Sequence, residues 1–193
     1  MIYKLIASDA SSEEEQIYTR SVIDQIIGAN ESLKTAIQQA KASIMYPPMG
    51  LHTLLLGETG VGKSMFAELM FLYAREIGRL KKNAPFVVFN CADYANNPQL
   101  LISQLFGVKK GAYTGADKDK AGLVAKADGG VLLLDEVHRL PPEGQEMLFY
   151  LMDKGLYRGL GEVDACHEAR VMIICATTEN IESALLKTFL RRI

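Results

Sequence analysis

Polar and apolar positions divide the chain into short periodic stretches. Residues 7–16, ASDASSEEEQ, are small and polar, so residues 1–16 are expected to form a flexible leader or the tail of an upstream domain. Ile2, Tyr3, Leu5 and Ile6 leave room for a strand ahead of it. From Asn30 the period is helical: Leu33, Ala36, Ile37, Ala40 and Ile44 share one face, with Asn30 placed to cap it and Pro47 and Pro48 to end it. An apolar run from Leu51 to Leu56 predicts a strand, and a second helix follows from Ser64 to about Glu76, with Gly78 as its C-cap. Strand-like runs return at Phe86–Phe89, Val131–Leu134 and Val171–Cys175, with helical stretches over 99–106, 143–154 and 181–188.

These strands are apolar at consecutive rather than alternate positions. That pattern belongs to strands buried on both faces, as in a parallel sheet covered by helices. With right-handed crossovers it predicts a three-layer α/β/α fold with a parallel sheet, formed by residues 17–193.

At 193 residues the chain is long enough for one domain with a substantial core. A formal charge of −2 offers no basic footprint for nucleic acid, so any DNA contact is expected of a domain outside this chain. No apolar run approaches the roughly 18–20 residues of a membrane span, and the N-terminus lacks the pattern of a signal peptide. The reading is a cytoplasmic protein with no membrane contact. Cys91, Cys166 and Cys175 are odd in number and lack CxxC spacing, and are read as reduced structural thiols. His52, His138 and His167 are scattered and suggest no zinc site.

Gly57-Glu58-Thr59-Gly60-Val61-Gly62-Lys63-Ser64 matches GxxxxGK[ST] in full, between a predicted strand and a predicted helix. Its glycines let successive backbone N–H groups face phosphate oxygens, and the helix N-terminus adds its positive dipole end. Lys63 is then placed for the β- and γ-phosphates of ATP, and Ser64 for Mg²⁺. Val131–Leu134 ends in Asp135 and Glu136, which brings two carboxylates to the end of the sheet. Asp135 is the candidate Mg²⁺ partner and Glu136 the candidate base for the attacking water, a pairing that points to hydrolysis.

Between these motifs lies Gly111-Ala112-Tyr113-Thr114-Gly115-Ala116, two small dipeptides around a Tyr-Thr tip. By composition it suits either an exposed contact loop with one aromatic anchor or an ordinary turn with a packed tyrosine.

The hexapeptide resembles the GAFTGA signature of sigma-54-dependent activators, the bacterial enhancer-binding proteins, with Tyr113 in place of Phe. The likeness runs from about Ile27 to Ile193 and includes IIG at 26–28, AKADGGVLLLDEVHRL at 125–140 and ICATTEN at 174–180. Residues 40–64 look more specifically like the levanase-regulator type, activators of sugar phosphotransferase operons. The resemblance implies an AAA+ P-loop ATPase that works as a hexameric ring and remodels sigma-54 RNA polymerase holoenzyme. It places Ile26, Ile27 and Gly28 at the adenine pocket and makes Asn90 the residue that couples Glu136 to nucleotide state. Residues 111–116 become the sigma-54 contact, 155–168 a second loop moving with the first, and Thr177 and Thr178 the sensor.

Blander roles stay open: core for Ile26 and Ile27, a strand-end cap for Asn90, and a helix cap for Thr177 and Thr178. Two positions depart from the family pattern. The sensor commonly reads ATN, against Ala176-Thr177-Thr178 here, so Thr178 keeps a hydroxyl for the γ-phosphate but lacks the amide. Of two arginines usually spaced six residues apart, Arg192 matches the second, while the first falls on Leu186; Arg191 is an alternative finger, and a surface role fits both. The helical lid that normally follows is not expected within this chain. A P-loop kinase and a non-hydrolysing nucleotide-dependent scaffold are the rival functions.

Overall fold

A computed structural model describes residues 21–193; the expected leader and any strand at its start lie outside the described residues. Four parallel strands, β1 (Thr53–Leu56), β2 (Phe86–Asn90), β3 (Val131–Asp135) and β4 (Met172–Thr177), form the main sheet in the order β1-β4-β3-β2. Register sets Leu55 beside Ala176, Leu133 beside Ile174 and Asn90 beside Asp135. The main helices are α1 (Lys34–Met45), α2 (Lys63–Glu76), α3 (Pro98–Phe106) and α4 (Pro142–Lys154).

The two central strands explain the unbroken apolar runs. Val131, Leu133, Met172, Ile174 and Ala176 pack with Ile37 and Ile44 of α1 and Met70 and Ala74 of α2. Their neighbours Leu132, Leu134, Ile173 and Cys175 face the other way, onto Leu101 and Leu105 of α3 and Leu148 and Leu151 of α4. Each face therefore has its own apolar layer, which is the three-layer arrangement expected. Every residue of β4 is buried, and only Asp135 in β3 is not. Each such leucine or isoleucine contributes about 2 kcal/mol by leaving water.

The helix ends show where periodicity misleads. Asn30 caps nothing: the N–H groups of Glu31 and Leu33 both donate to the Gly28 carbonyl, so the chain turns irregularly until Lys34. Leu33 and Ala36 are only half-buried, and the buried stripe narrows to Ile37, Ala40 and Ile44. At the far end of α2, Gly78 donates to the Arg75 carbonyl and Arg79 to that of Ala74, the glycine-terminated helix end expected there. The helix expected over 181–188 is two single turns, Ile181–Ala184 and Lys187–Leu190. Leu185 and Leu186 between them are extended, and Gln145 holds the break: its Oε1 accepts from Leu186 N at 2.8 Å while its Nε2 donates to the Leu140 carbonyl.

Two short antiparallel ribbons sit beside the sheet, Gly107–Val108 with Lys120–Ala121 and Leu156–Tyr157 with His167–Glu168. Cys91 and Cys175 are buried, but Cys166 is exposed, which corrects the structural role expected of it. Among the described residues no helix is long and apolar enough to cross a membrane.

Candidate functional site

The site forms where β1, β3 and β4 end on one edge of the sheet. β1 stops at Leu56 and residues 57–62 swing into α2, with Gly60 (φ +81°) and Gly62 (φ +93°) in the left-handed region that side chains disfavour. Gly62 precedes the first turn of α2, which has no side-chain cap and no acidic residue. Its N–H groups are thus left to an anion. Lys63 Nζ donates to the carbonyls of Gly57 (2.9 Å) and Glu58 (3.0 Å), which keeps the ammonium against the loop. Glu58, Thr59, Gly60 and Val61 are exposed.

Ser64 Oγ donates to Asp135 Oδ2 at 3.1 Å, and Asp135 Oδ1 accepts from Glu136 N at 3.0 Å. The sequence motifs therefore meet as hydroxyl and carboxylate, a hard-oxygen pair suited to Mg²⁺. Glu136 is the one non-glycine residue with positive φ among those described (φ 50°, ψ 47°). Such conformations cluster at functional sites. Its Oε2 lies 3.3 Å from Thr178 Oγ1, which donates to it, and 3.3 Å from His138 Nδ1. His138 Nδ1 also lies 2.9 Å from Thr177 Oγ1, and Thr177 is 1% exposed. Nothing in the scattered histidines signalled this. Beneath the carboxylates, burial pushes the Cys91 thiol up to about 12, and the charges of Asp135, Asp93 and Glu136 add to it.

Of the expected site residues, not all converge. A cavity of about 770 Å³ runs from Val61 and Lys63 along β1, walled by Ile26, Leu33, Ala36 and Phe66. Its apolar wall suits a base. Ile26 lines it, but Ile27 is 95% exposed and takes no part, and Gly28 serves the turn before α1. Thr178 faces Gly57 and Glu58 across a second, smaller hollow. Asn90 Oδ1 accepts from Ala92 N at 3.0 Å and caps the turn Cys91–Tyr94, so it has the capping contact, although it is beside Asp135 in the sheet. Arg192 pairs with Asp153 at 2.6 Å and sits over the Phe149 ring within its own chain.

The 111–116 loop lies away from these carboxylates, at the tip of the first ribbon. Gly111 N donates to Ala116 O and Ala116 N to Tyr113 O, while Thr114 is exposed and Ala116 buried. Tyr113 is half-buried with its hydroxyl 3.4 Å from Ser103 Oγ, so it packs against α3, the second of the two arrangements its composition allowed. The loop base is bound to the 155–168 segment: Lys109 N donates to Leu160 O and Leu160 N to Gly107 O. Glu162, missed in the sequence, organises this junction. Its largely buried carboxylate accepts from Gly159 N (2.8 Å) and faces His167 Nε2 (2.8 Å) and Lys109 Nζ (3.8 Å). Burial raises its pKa, but those partners outweigh burial and hold it below the usual range.

Residues 26–193 match the family model described as the sigma-54 interaction domain. The chain is 60% identical over 186 residues to the transcriptional regulatory protein LevR of Bacillus subtilis and 51% over 188 residues to DagR of Salmonella typhimurium. Each match covers 96% of this chain but 20% of the relative, so the chain spans about a fifth of their length. Among solved structures, NtrX of Brucella abortus in complex with ATP is similar in fold (TM-score 0.67, 22% identity, 86% of this chain and 35% of that one). The phosphate loop at the head of α2, the carboxylates ending β3 and a family match over nearly the whole described chain lead to one conclusion: the chain belongs to the sigma-54 interaction domain family of sigma-54-dependent transcriptional activators.

Proposed function

We propose that this chain is the ATP-hydrolysing core of an activator that remodels sigma-54 RNA polymerase, at a promoter of a sugar phosphotransferase operon. The observation that carries the reading is the meeting of Ser64, Asp135 and Glu136 beside an uncapped helix N-terminus. Gly57–Ser64 hold the phosphates of ATP, and the cavity beside Ile26 takes the base. Ser64 and Asp135 are the residues to hold Mg²⁺, which when bound neutralises charge on the phosphate oxygens. Glu136 accepts the proton of the attacking water, and Thr178 senses the γ-phosphate.

Asn90 is proposed to exchange its capping contact for one with Glu136 as nucleotide state changes. Gly111–Ala116 form the sigma-54 contact, with Tyr113 released from Ser103 when the loop engages. Arg192, freed from Asp153, reaches the neighbour's site in a hexameric ring, with DNA held by another part of the protein and the whole acting in the cytoplasm. The Arg192–Asp153 pair gives one rival its support, a scaffold that binds nucleotide without turnover.

Binding to sigma-54 with ADP–aluminium fluoride, ADP or no nucleotide tests the reading. Complex formed only with the transition-state mimic, and lost in a Tyr113→Ala, Thr114→Ala variant, supports it; no complex from a nucleotide-bound ring overturns it. Glu136→Gln raises ATP retention in a hydrolase and changes little in a scaffold.

A further inference from the structure

We infer that His138 is a positioning residue for Glu136, orienting one oxygen of the carboxylate so that the other takes the proton of water. The inference rests on the hydrolytic reading proposed above. His138 lies in the turn Val137–Arg139 that follows Glu136, and its side chain is 9% exposed. That turn brings the imidazole back over the Glu136 carboxylate and against the end of β4, where Thr177 is buried.

Which ring nitrogen carries the hydrogen follows from its neighbours. Nδ1 faces both Thr177 Oγ1 (2.9 Å) and Glu136 Oε2 (3.3 Å). A bare Nδ1 would set its lone pair against a carboxylate oxygen, which is repulsive in a half-buried site. An Nδ1 that carries its hydrogen instead gives it to the threonine oxygen and sets that positive edge beside the carboxylate. Thr177 Oγ1 is already an acceptor, taking Glu179 N–H at 3.1 Å. Its hydroxyl is thereby anchored to the turn after β4.

Glu136 Oε2 thus accepts from Thr178 Oγ1–H at 3.3 Å and has the His138 Nδ1–H edge 3.3 Å away, both set by the end of β4. The left-handed backbone at Glu136 aims the side chain, and these donors hold its outer torsions. Oε1 is left as the oxygen to accept a proton. A general base acts only within hydrogen-bond reach and in the right orientation, so its holder affects the chemical step more than substrate affinity.

The test is steady-state ATP turnover by the wild-type chain and by His138→Leu, His138→Asn and Glu136→Gln variants. Long-range nitrogen–proton NMR of the wild-type imidazole accompanies it. We expect His138→Leu to lower kcat by about tenfold with KM for ATP within about twofold. His138→Asn, whose amide nitrogen falls near the Nδ1 position, should recover kcat to within about threefold. NMR should place the proton on Nδ1. Wild-type turnover with an unchanged His138→Leu kcat overturns this inference alone, as does a proton found on Nε2. If His138→Leu does not fold, a kcat loss of about tenfold or more in the folded His138→Asn variant overturns it too. Bound ATP without turnover in the wild type overturns the proposed hydrolysis, and the inference with it.

Discussion

Ser64 donates its hydroxyl hydrogen bond to Asp135 across 3.1 Å, joining the head of α2 to the end of β3 over 71 positions of chain. The contact is exposed, so it adds little to folding, and its value lies in bringing two hard oxygens together beside the phosphate loop. Asp135→Asn should therefore reduce ATP turnover by roughly a hundredfold while the melting temperature shifts by under about 2 °C. Lys63→Ala should weaken ATP binding more than about tenfold. Phosphate release and fluorescent-nucleotide titration measure the two effects. Normal turnover in Asp135→Asn would show that the carboxylate does not take part.

The two surface loops touch where Gly161 meets Ala112. A side chain at Gly161 would place its Cβ 2.6 Å from Ala112 Cβ, and the φ of +80° disfavours any residue but glycine. Gly161→Ala should cost about 1–3 kcal/mol, because the Ala112 backbone must move away. Hydrogen exchange should quicken over 107–116 and 155–168 while β3 and β4 stay protected. Acceleration confined to the mutated segment would separate the loops.

Much of this arrangement was legible because it depends on local pattern. Leu132, Leu133 and Leu134 form an unbroken apolar run because β3 is covered on both faces, and that reading needs no tertiary knowledge. Gly57–Ser64 and Asp135–Glu136 carry their chemistry in order and spacing. What escaped depends on how the folded chain chooses among contacts that pattern alone does not rank. Asn30 has a capping residue's chemistry, yet the Gly28 carbonyl organises the turn instead. Ile26 and Ile27 are alike in composition, and only packing sends one to the cavity and leaves the other exposed. Asn90 makes the strand-end cap left open for it, on the Ala92 amide, and Arg192 pairs with Asp153, 39 positions away. His138 has no signal of its own because its partner Thr177 lies 39 positions away.

Lys41 and Asp24 meet at 2.6 Å, tying the segment before α1 to the helix itself. The Lys41 ammonium holds the Asp24 carboxyl below its ordinary value. A depressed acid stabilises the fold above its unfolded pKa, near 3.9, and the contribution fades as pH falls through the lower folded value. Both groups are about a quarter to a third exposed, so screening limits the pair to under about 1 kcal/mol. Asp24→Asn should lower stability by that amount at pH 7, with the gap to wild type closing below about pH 4. Urea unfolding at pH 7, 5 and 3.5 measures it, and a gap that widens on acidification would contradict the assignment.

The three cysteines give a direct reading of how tightly the sheet is packed. Cys175 is buried at the centre of β4, and burial raises its thiol well above the ordinary value, with Cys91 adding to the shift. Cys91 is held up to about 12 by burial and by the carboxylates at the end of β3. Since the thiolate is the reactive form, neither should attack a thiol reagent at pH 8, whereas Cys166 is exposed. A colorimetric disulfide reagent should therefore titrate one thiol per folded chain quickly and all three in guanidinium. Cys166→Ser should abolish the fast phase. Rapid labelling of Cys91 in that variant would mean that the carboxylate end of β3 opens to solvent, and added ATP should then slow the reaction if nucleotide closes that end.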